Sequence, residues 1–250
     1  MSANGNHPTV GGRPARLDDG ERVYAIGDVH GMDDLLSAVH DKIAADLRAD
    51  PPDRATIVHL GDYVDRGPSS RQVIERLRGL EIGNAAIRCL KGNHEAELLG
   101  FLEDPEYWAA HWIRYGGGAT LRSYGVDPAG YEGQFHPYLR MRWSLVDRIP
   151  PEDLDFLYAL PLSFETGDYF FCHAGVRPGI PLDEQVEDDL TWIREAFLTS
   201  TMDFGKVVIH GHTPQKAPDV RRNRINIDTT AFASGVLTCL ALEGETHRFL

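Results

Sequence analysis

Five short polar groups follow directly on apolar runs: Asp28-Val29-His30 after "RVYAI", Asp62 after "TIVHL", Asn93-His94 after "AAIRCL", His173 after "YFFC" and His212 after "VVIH". Carboxylates, imidazoles and amide oxygens are the donors that hard and borderline divalent cations accept. Gly27, Gly61, Gly92 and Gly211 stand immediately before four of the groups, where a missing Cβ lets backbone approach closely. Six such donors suit two cations that share one carboxylate, which clamps a phosphoryl group for in-line displacement. A lone Gly-Asp pair is frequent by chance; the ordered series carries the signal. Its densest member, "GDYVDRG", crowds Asp62, Asp65 and Arg66 into one short loop that could otherwise be a solvated turn.

Positioning these groups requires strands that end together. "RVYAIGD", "ATIVHLGD" and "AAIRCLKGN" alternate with the helical patterns "MDDLLSAVHDKIAADLRAD", "SSRQVIERLRGL" and "HEAELLGFLED". This β-α-β-α order predicts a sheet with crossover helices, with ligands at the carboxyl ends of the strands. Residues 101–160 read as helical and aromatic, with a Gly-rich turn at Gly116–Gly118, and Trp108 and Trp112 are spaced for core packing. Strands return in "YFFCHAG", "GKVVIHGHTP", "RINIDTT" and "GVLTCLAL". The expected organisation is a flexible tail over 1–20 and a single α/β domain over 21–250 carrying the helical insertion.

Composition narrows the function classes. The 250 residues carry a formal net charge of −13, which disfavours non-specific nucleic-acid binding. No apolar run is long enough to span a bilayer, and the N-terminus lacks the apolar core of a secretion signal, so the expected location is cytoplasmic. Three cysteines, Cys89, Cys172 and Cys239, lie in strand-like runs and read as reduced, buried thiols.

Taken in order, "GDVHG", "GDYVDRG", "GNHE", "HAGVRPG" and "GHTP" resemble the calcineurin-like metallophosphoesterases, in particular the phosphoprotein phosphatase branch with its bacterial and phage members, from Val23 to Leu242. The resemblance implies a central β-sandwich of mixed sheets flanked by helices, with a bimetal site at the strand ends. It implies that Asp28 and His30 hold a first metal, that Asp62 bridges, and that Asn93, His173 and His212 complete a second. Two divalent ions are implied, manganese first, with iron, zinc, nickel or magnesium suited to the same donors. Arg66 matches the phosphate-binding arginine of the family, and Arg194 in "LTWIREAF" resembles a second one in phage-type members. His94, one residue past a ligand, is the expected general acid, and Asp65 the carboxylate that orients it.

The implied activity is phosphomonoester hydrolysis by a hydroxide held between two metals, with phosphoserine and phosphothreonine in proteins as the first substrate class. Symmetrical hydrolysis of diadenosine tetraphosphate is the alternative enzyme, and a non-catalytic phosphate-binding scaffold the alternative of another class. "HWIRYGGGATLRSYG" is more similar to the bacterial phosphatases. Retention of Asp65, Arg66 and His94 argues against the scaffold. His210 is expected to pack rather than ligate, because the family's extra ligand position falls on Pro214. Arg177 is a weaker phosphate candidate, the remaining histidines are read as surface or core, and Thr230 stands where the branch usually has glycine.

Overall fold

A computed structural model describes residues 7–250. Twelve strands occur among them: β1 (Thr9–Val10), β2 (Arg13–Pro14), β3 (Glu21–Ile26), β4 (Arg54–His59), β5 (Ala86–Cys89), β6 (Ser163–Thr166), β7 (Tyr169–Cys172), β8 (Val207–His210), β9 (Asp219–Val220), β10 (Arg224–Asn226), β11 (Cys239–Glu243) and β12 (Thr246–Phe249). The helices are α1 (Asp33–Ala49), α2 (Ser70–Arg78), α3 (Asn93–Glu103), α4 (Pro105–Trp112), α5 (Gly118–Ser123), α6 (Pro137–Val146), α7 (Pro151–Tyr158), α8 (Glu187–Trp192), α9 (Glu195–Leu198) and α10 (Ala231–Ser234).

The long strands form two five-stranded mixed sheets, ordered β12-β11-β3-β4-β5 and β6-β7-β8-β10-β9. In the first, β3, β4 and β5 run parallel, with Ile26 opposite His59 and His59 opposite Cys89. In the second, β7, β8 and β10 run parallel, with Phe171 opposite Ile209 and Asn226 opposite His210. Parallel pairing in matched register makes the chain leave each set of strands at one edge, and this brings the polar groups together.

Alternation on the strands sets the layers. Val23, Ala25 and Val58 face Phe171, Ile209 and Ile225 in a buried layer between the sheets. Tyr24, Ile26 and Ile57 point the other way, onto Leu36, Val39 and Ile43 of α1 and Val73 and Ile74 of α2. Phe170, Cys172 and Val208 pack on Leu190 of α8 and Phe197 of α9. The result is the expected helix–sheet–sheet–helix sandwich. In α1, Asp33 and Asp34 open the helix and Arg48 closes it, each charge complementing the helix dipole.

One expectation changes. Within the stretch expected to be a flexible tail, residues 9–14 form the β1–β2 hairpin; Leu17 is fully buried, and Arg13 pairs with Asp168. The apolar side chains of this stretch find a place beside β7 that composition does not reveal. Residues 1–6 lie outside the described set. As expected, the glycines at 116–118 break the helical run: a π-helical stretch over Ile113–Gly117 follows α4, and the chain kinks before α5 at Gly116, whose φ is 127°. A Cβ at Gly116 would lie 2.8 Å from the backbone nitrogen of Arg66, so only glycine lets this helix approach the "GDYVDRG" loop.

Candidate metal centre and phosphate site

Three of the five polar groups leave their strands through left-handed backbone. His30, Asp62, Asp65, Arg66 and His212 all have positive φ, between 47° and 72°. Non-glycine residues in this region cost about 1–3 kcal/mol apiece and persist only where their surroundings fix them. The Asp62 carbonyl accepts from Val29 N at 3.1 Å and His30 N at 2.8 Å, tying the first two loops together. The carboxylate of Glu95 accepts four backbone N–H groups: Asp62 at 2.8 Å, Tyr63 at 2.7 Å, Val64 at 3.2 Å and Gly92 at 2.9 Å. Glu95 is fully buried and holds the shape of the loop that carries Asp62. Sequence reasoning took it only as the last letter of "GNHE"; its place in the first turn of α3, three residues after Gly92, was the available clue.

The six predicted ligands are all buried and converge. His30 uses Nδ1 on the Val64 carbonyl at 2.9 Å, which leaves Nε2 facing Asp62 Oδ2 at 3.5 Å. His173 uses Nδ1 on the Leu60 carbonyl at 3.0 Å, which leaves Nε2 3.0 Å from Asn93 Oδ1 and 3.3 Å from Asp62 Oδ1. A backbone carbonyl on one ring nitrogen orients the other toward a cation. The Asp28 carboxylate receives His212 N at 3.1 Å and presses so closely on Gly211 that a Cβ there would overlap it. Nε2 of His212 is buried without a partner among the described residues. Ligand atoms of Asp62, His173 and His212 lie within 4.8 Å of one another, as do those of His30, Asp62 and His94.

The charges point the same way. Burial, then the neighbouring Asp228 carboxylate, raises Asp28 well above the ordinary carboxylate range. Burial lowers His30 to about 3 and His212 to about 2, so both imidazoles are neutral near pH 7, the form that can bind a metal. Asp28, Asp62 and Asp228 form a buried acidic group that a divalent cation would relieve. Asp228, in "NIDTTA", is not among the donors expected from sequence, although the stretch resembles a family motif; the parallel register of β10 with β8 brings it to this edge. An unpartnered imidazole, oriented donors and clustered carboxylates make this a site able to hold divalent metal ions.

Beside the ligands, His94 Nδ1 lies 2.6 Å from Asp65 Oδ2. Burial opposes the charge on His94, but Asp62 and then Asp65 outweigh it and lift the imidazole to about 9. Its Nε2 lies 3.2 Å from Arg66, whose exposed guanidinium sits 4.8 Å above the ring of Phe232. Arg194 is exposed, its side chain makes no hydrogen bond or ion pair among the described residues, and its charge helps to lower His212. Arg177 is taken up by Asp189, with Nε 2.9 Å from the carboxylate. His210 is buried, bonds the Gly211 carbonyl at 3.0 Å and meets Phe197 edge-on, as expected of a packed residue. His40 and His59 pair with each other in the core at 2.9 Å, and His111 bonds Glu97 at 3.0 Å.

A cavity of about 410 Å³ opens alongside, lined by Lys91, Gly100, Trp108, Tyr158, Asp188 and Trp192 among others. It runs along α3, the helix that begins at Asn93, and the Trp192 ring lies 6.0 Å from that of His212.

The calcineurin-like phosphoesterase family model matches residues 21–233. The chain is 26% identical over 238 residues to the asymmetrical bis(5'-nucleosyl)-tetraphosphatase PrpE of Bacillus cereus (strain Q1), covering 86% of this chain and 88% of that one. It is 26% identical over 232 residues, with the same coverage, to the enzyme of that name from Bacillus anthracis (strain CDC 684 / NRRL 3495). Among solved structures, a candidate diadenosine tetraphosphatase superposes with a TM-score of 0.59 at 22% identity, covering 98% of this chain and 97% of that one. A cold-active protein-tyrosine phosphatase from a Shewanella species gives 0.60 at 17% identity, covering 94% and 83%. These two likenesses concern the fold alone. No helix among the described residues is long and apolar enough to cross a membrane. With its strand-end donors assembled as that fold requires, the chain belongs to the calcineurin-like phosphoesterase family.

Proposed function

We propose that the protein is a phosphohydrolase with two divalent cations held by Asp28, His30, Asp62, Asn93, His173 and His212, and that its substrate is a dinucleoside polyphosphate, cleaved at a phosphoanhydride bond. When bound, such cations supply Lewis acidity and an attacking water that is ionised near neutral pH. The chain's own residues do the rest. Arg66 and Arg194 donate to the non-bridging phosphate oxygens, a task that suits the guanidinium fork. His94 gives its Nε2 proton to the leaving oxygen, and Asp65 holds the ring in place through Nδ1.

The observation that carries the substrate assignment is the aromatic cavity beside His212 and Asn93. Trp108, Tyr158 and Trp192 offer faces for a nucleobase, and the Glu103 and Asp188 carboxylates offer acceptors for a base amino group. The names of the Bacillus relatives support the same substrate class. Phosphoserine or phosphothreonine in a protein, the first expectation from sequence, is the second reading, supported by the exposure of Arg66 and Arg194 at the mouth.

Turnover of diadenosine tetraphosphate and of a phosphoserine peptide by the manganese-loaded chain separates the two, and the nucleotide products, two ADP or ATP plus AMP, report the bond broken. Base stacking is worth roughly 1–3 kcal/mol, so Trp192→Ala should raise KM for the dinucleotide about 5- to 100-fold and leave p-nitrophenyl phosphate hydrolysis nearly unchanged. Faster turnover of the peptide, with no effect of Trp192→Ala on the dinucleotide, would overturn the assignment.

A further inference from the structure

In a chain with a net charge of −13, one cavity is basic. It encloses about 410 Å³ and is lined by Leu198, Thr199, Ser200 and Thr201 on one side and by Arg221, Arg222, Asn223 and Arg224 on the other. Arg224 opens β10 opposite Val208, whereas the metal ligands follow the other ends of these strands. The cavity is therefore at the amino-terminal edge of the parallel strands, away from the metal centre.

Among the described residues one carboxylate pairs with these guanidinium groups: Asp219 accepts from Arg221 Nε at 2.7 Å and lies 3.5 Å from Arg224 NH2. Arg222 is exposed, and its side chain makes no hydrogen bond or ion pair among the described residues. The Arg224 side chain is only 9% exposed and its guanidinium lies over the Phe197 ring at 5.9 Å, yet its Nε is buried with no partner among the described residues. A buried donor without an acceptor is costly, which favours an acceptor at this wall of the cavity. The opposite wall is prepared as well. Asn223 Nδ2 donates to the carbonyls of Ser200 and Met202 at 3.0 and 2.9 Å, so these acceptors are occupied, and Ser200 and Thr201, whose hydroxyls are able to donate, are among the lining residues.

We propose that this cavity is a second anion site, distinct from the catalytic one, which takes a phosphate group. Three guanidinium forks and two hydroxyls suit a compact tetrahedral dianion with several acceptor oxygens better than a planar carboxylate. The volume admits either free phosphate or the phosphate end of a small ester, and both present the same chemistry to the arginines.

Equilibrium dialysis of labelled inorganic phosphate against the metal-loaded full-length protein tests it. Wild type should bind two phosphates per chain. The Arg221→Ala/Arg222→Ala variant should retain one, its second site weakened at least tenfold, with p-nitrophenyl phosphate turnover within twofold of wild type. Arg66→Ala should weaken the other site and spare this one. Both substituted arginines of the cavity are exposed, so the variant is expected to fold, and Arg222→Glu provides an independent reversal of charge. Displacement of the second phosphate by AMP would identify a small phosphoester as occupant, and failure of AMP to displace it would identify orthophosphate. A single phosphate per wild-type chain, or equal binding by wild type and the double variant, would overturn the proposal.

Discussion

His94 Nδ1 stands 2.6 Å from Asp65 Oδ2, and that carboxylate is fixed in turn by Trp112 Nε1 at 2.9 Å and Thr120 Oγ1 at 2.6 Å. Asp65 lies close to the metal donors yet is spent wholly on hydrogen bonds. Asp65→Asn should therefore lower kcat by roughly 10²–10⁴-fold, the usual worth of positioned acid catalysis, while metal content stays near wild type. Asp62→Asn should lose metal. Elemental analysis alongside kinetics checks the pair; equal metal loss in both would show that the two aspartates do not divide the work this way.

Glu95 supports the site without facing substrate. Glu95→Ala strips the acceptor from four buried N–H groups, each costing of order 1–3 kcal/mol when unsatisfied. The variant should melt well below wild type and bind metal weakly. Glu95→Gln, which keeps one oxygen, should fall between them. Thermal melts with and without added Mn²⁺ give the comparison.

The buried His40–His59 pair makes stability depend on pH. Burial lowers His40 to about 4 and His59 to about 3, against an ordinary value of 6.5. Below pH 6.5 the unfolded chain therefore binds protons that the folded chain refuses, so stability falls as pH drops from about 6.5 toward 4 and 3. Above 6.5 the pair contributes no pH dependence. Each unit of separation is worth about 1.4 kcal/mol. Urea midpoints of wild type and His40→Phe, compared between pH 7.5 and 5, should show a shallower decline in the variant; parallel declines would dismiss the pair as the source.

Thr230 has a left-handed backbone, with φ 58° and ψ 53°. A β-branched residue is strained there, and no hydrogen bond from its side chain offsets the cost. Thr230→Gly should stabilise the fold by about 1 kcal/mol, read as a rise in the urea midpoint. An unchanged or lower midpoint would mean that the loop entropy released by glycine outweighs the strain.

Removal of metal gives the broadest check on the centre. Chelation and His212→Ala should each abolish phosphoester hydrolysis, and Mn²⁺ should restore the chelated wild type only. Activity that survives both treatments would remove the two-cation reading.

Much of this protein could be read along the chain. Short apolar runs ending in Gly-Asp, Gly-Asn-His and Gly-His declare strands and donors together, because close approach to a cation needs both a small neighbour and a polar tip. The sandwich, the six converging donors and the His94–Asp65 pair were legible for that reason. Partnerships set by distance through space were not. Glu95 and Asp228 acquire their roles only when α3 and β10 dock beside the "GDYVDRG" loop. Trp112, legible as a core residue, also proves to hold Asp65, across 47 positions of sequence. Arg177, a phosphate candidate by its motif, is claimed by Asp189, and the ordered hairpin over 9–14 owes its place to contacts that local composition does not encode. The sequence by itself determined which side chains can bind metal and phosphate, since donor chemistry belongs to residue type. The tertiary structure decided which of them share a site, since parallel strand register and burial set the distances and charges through which they act.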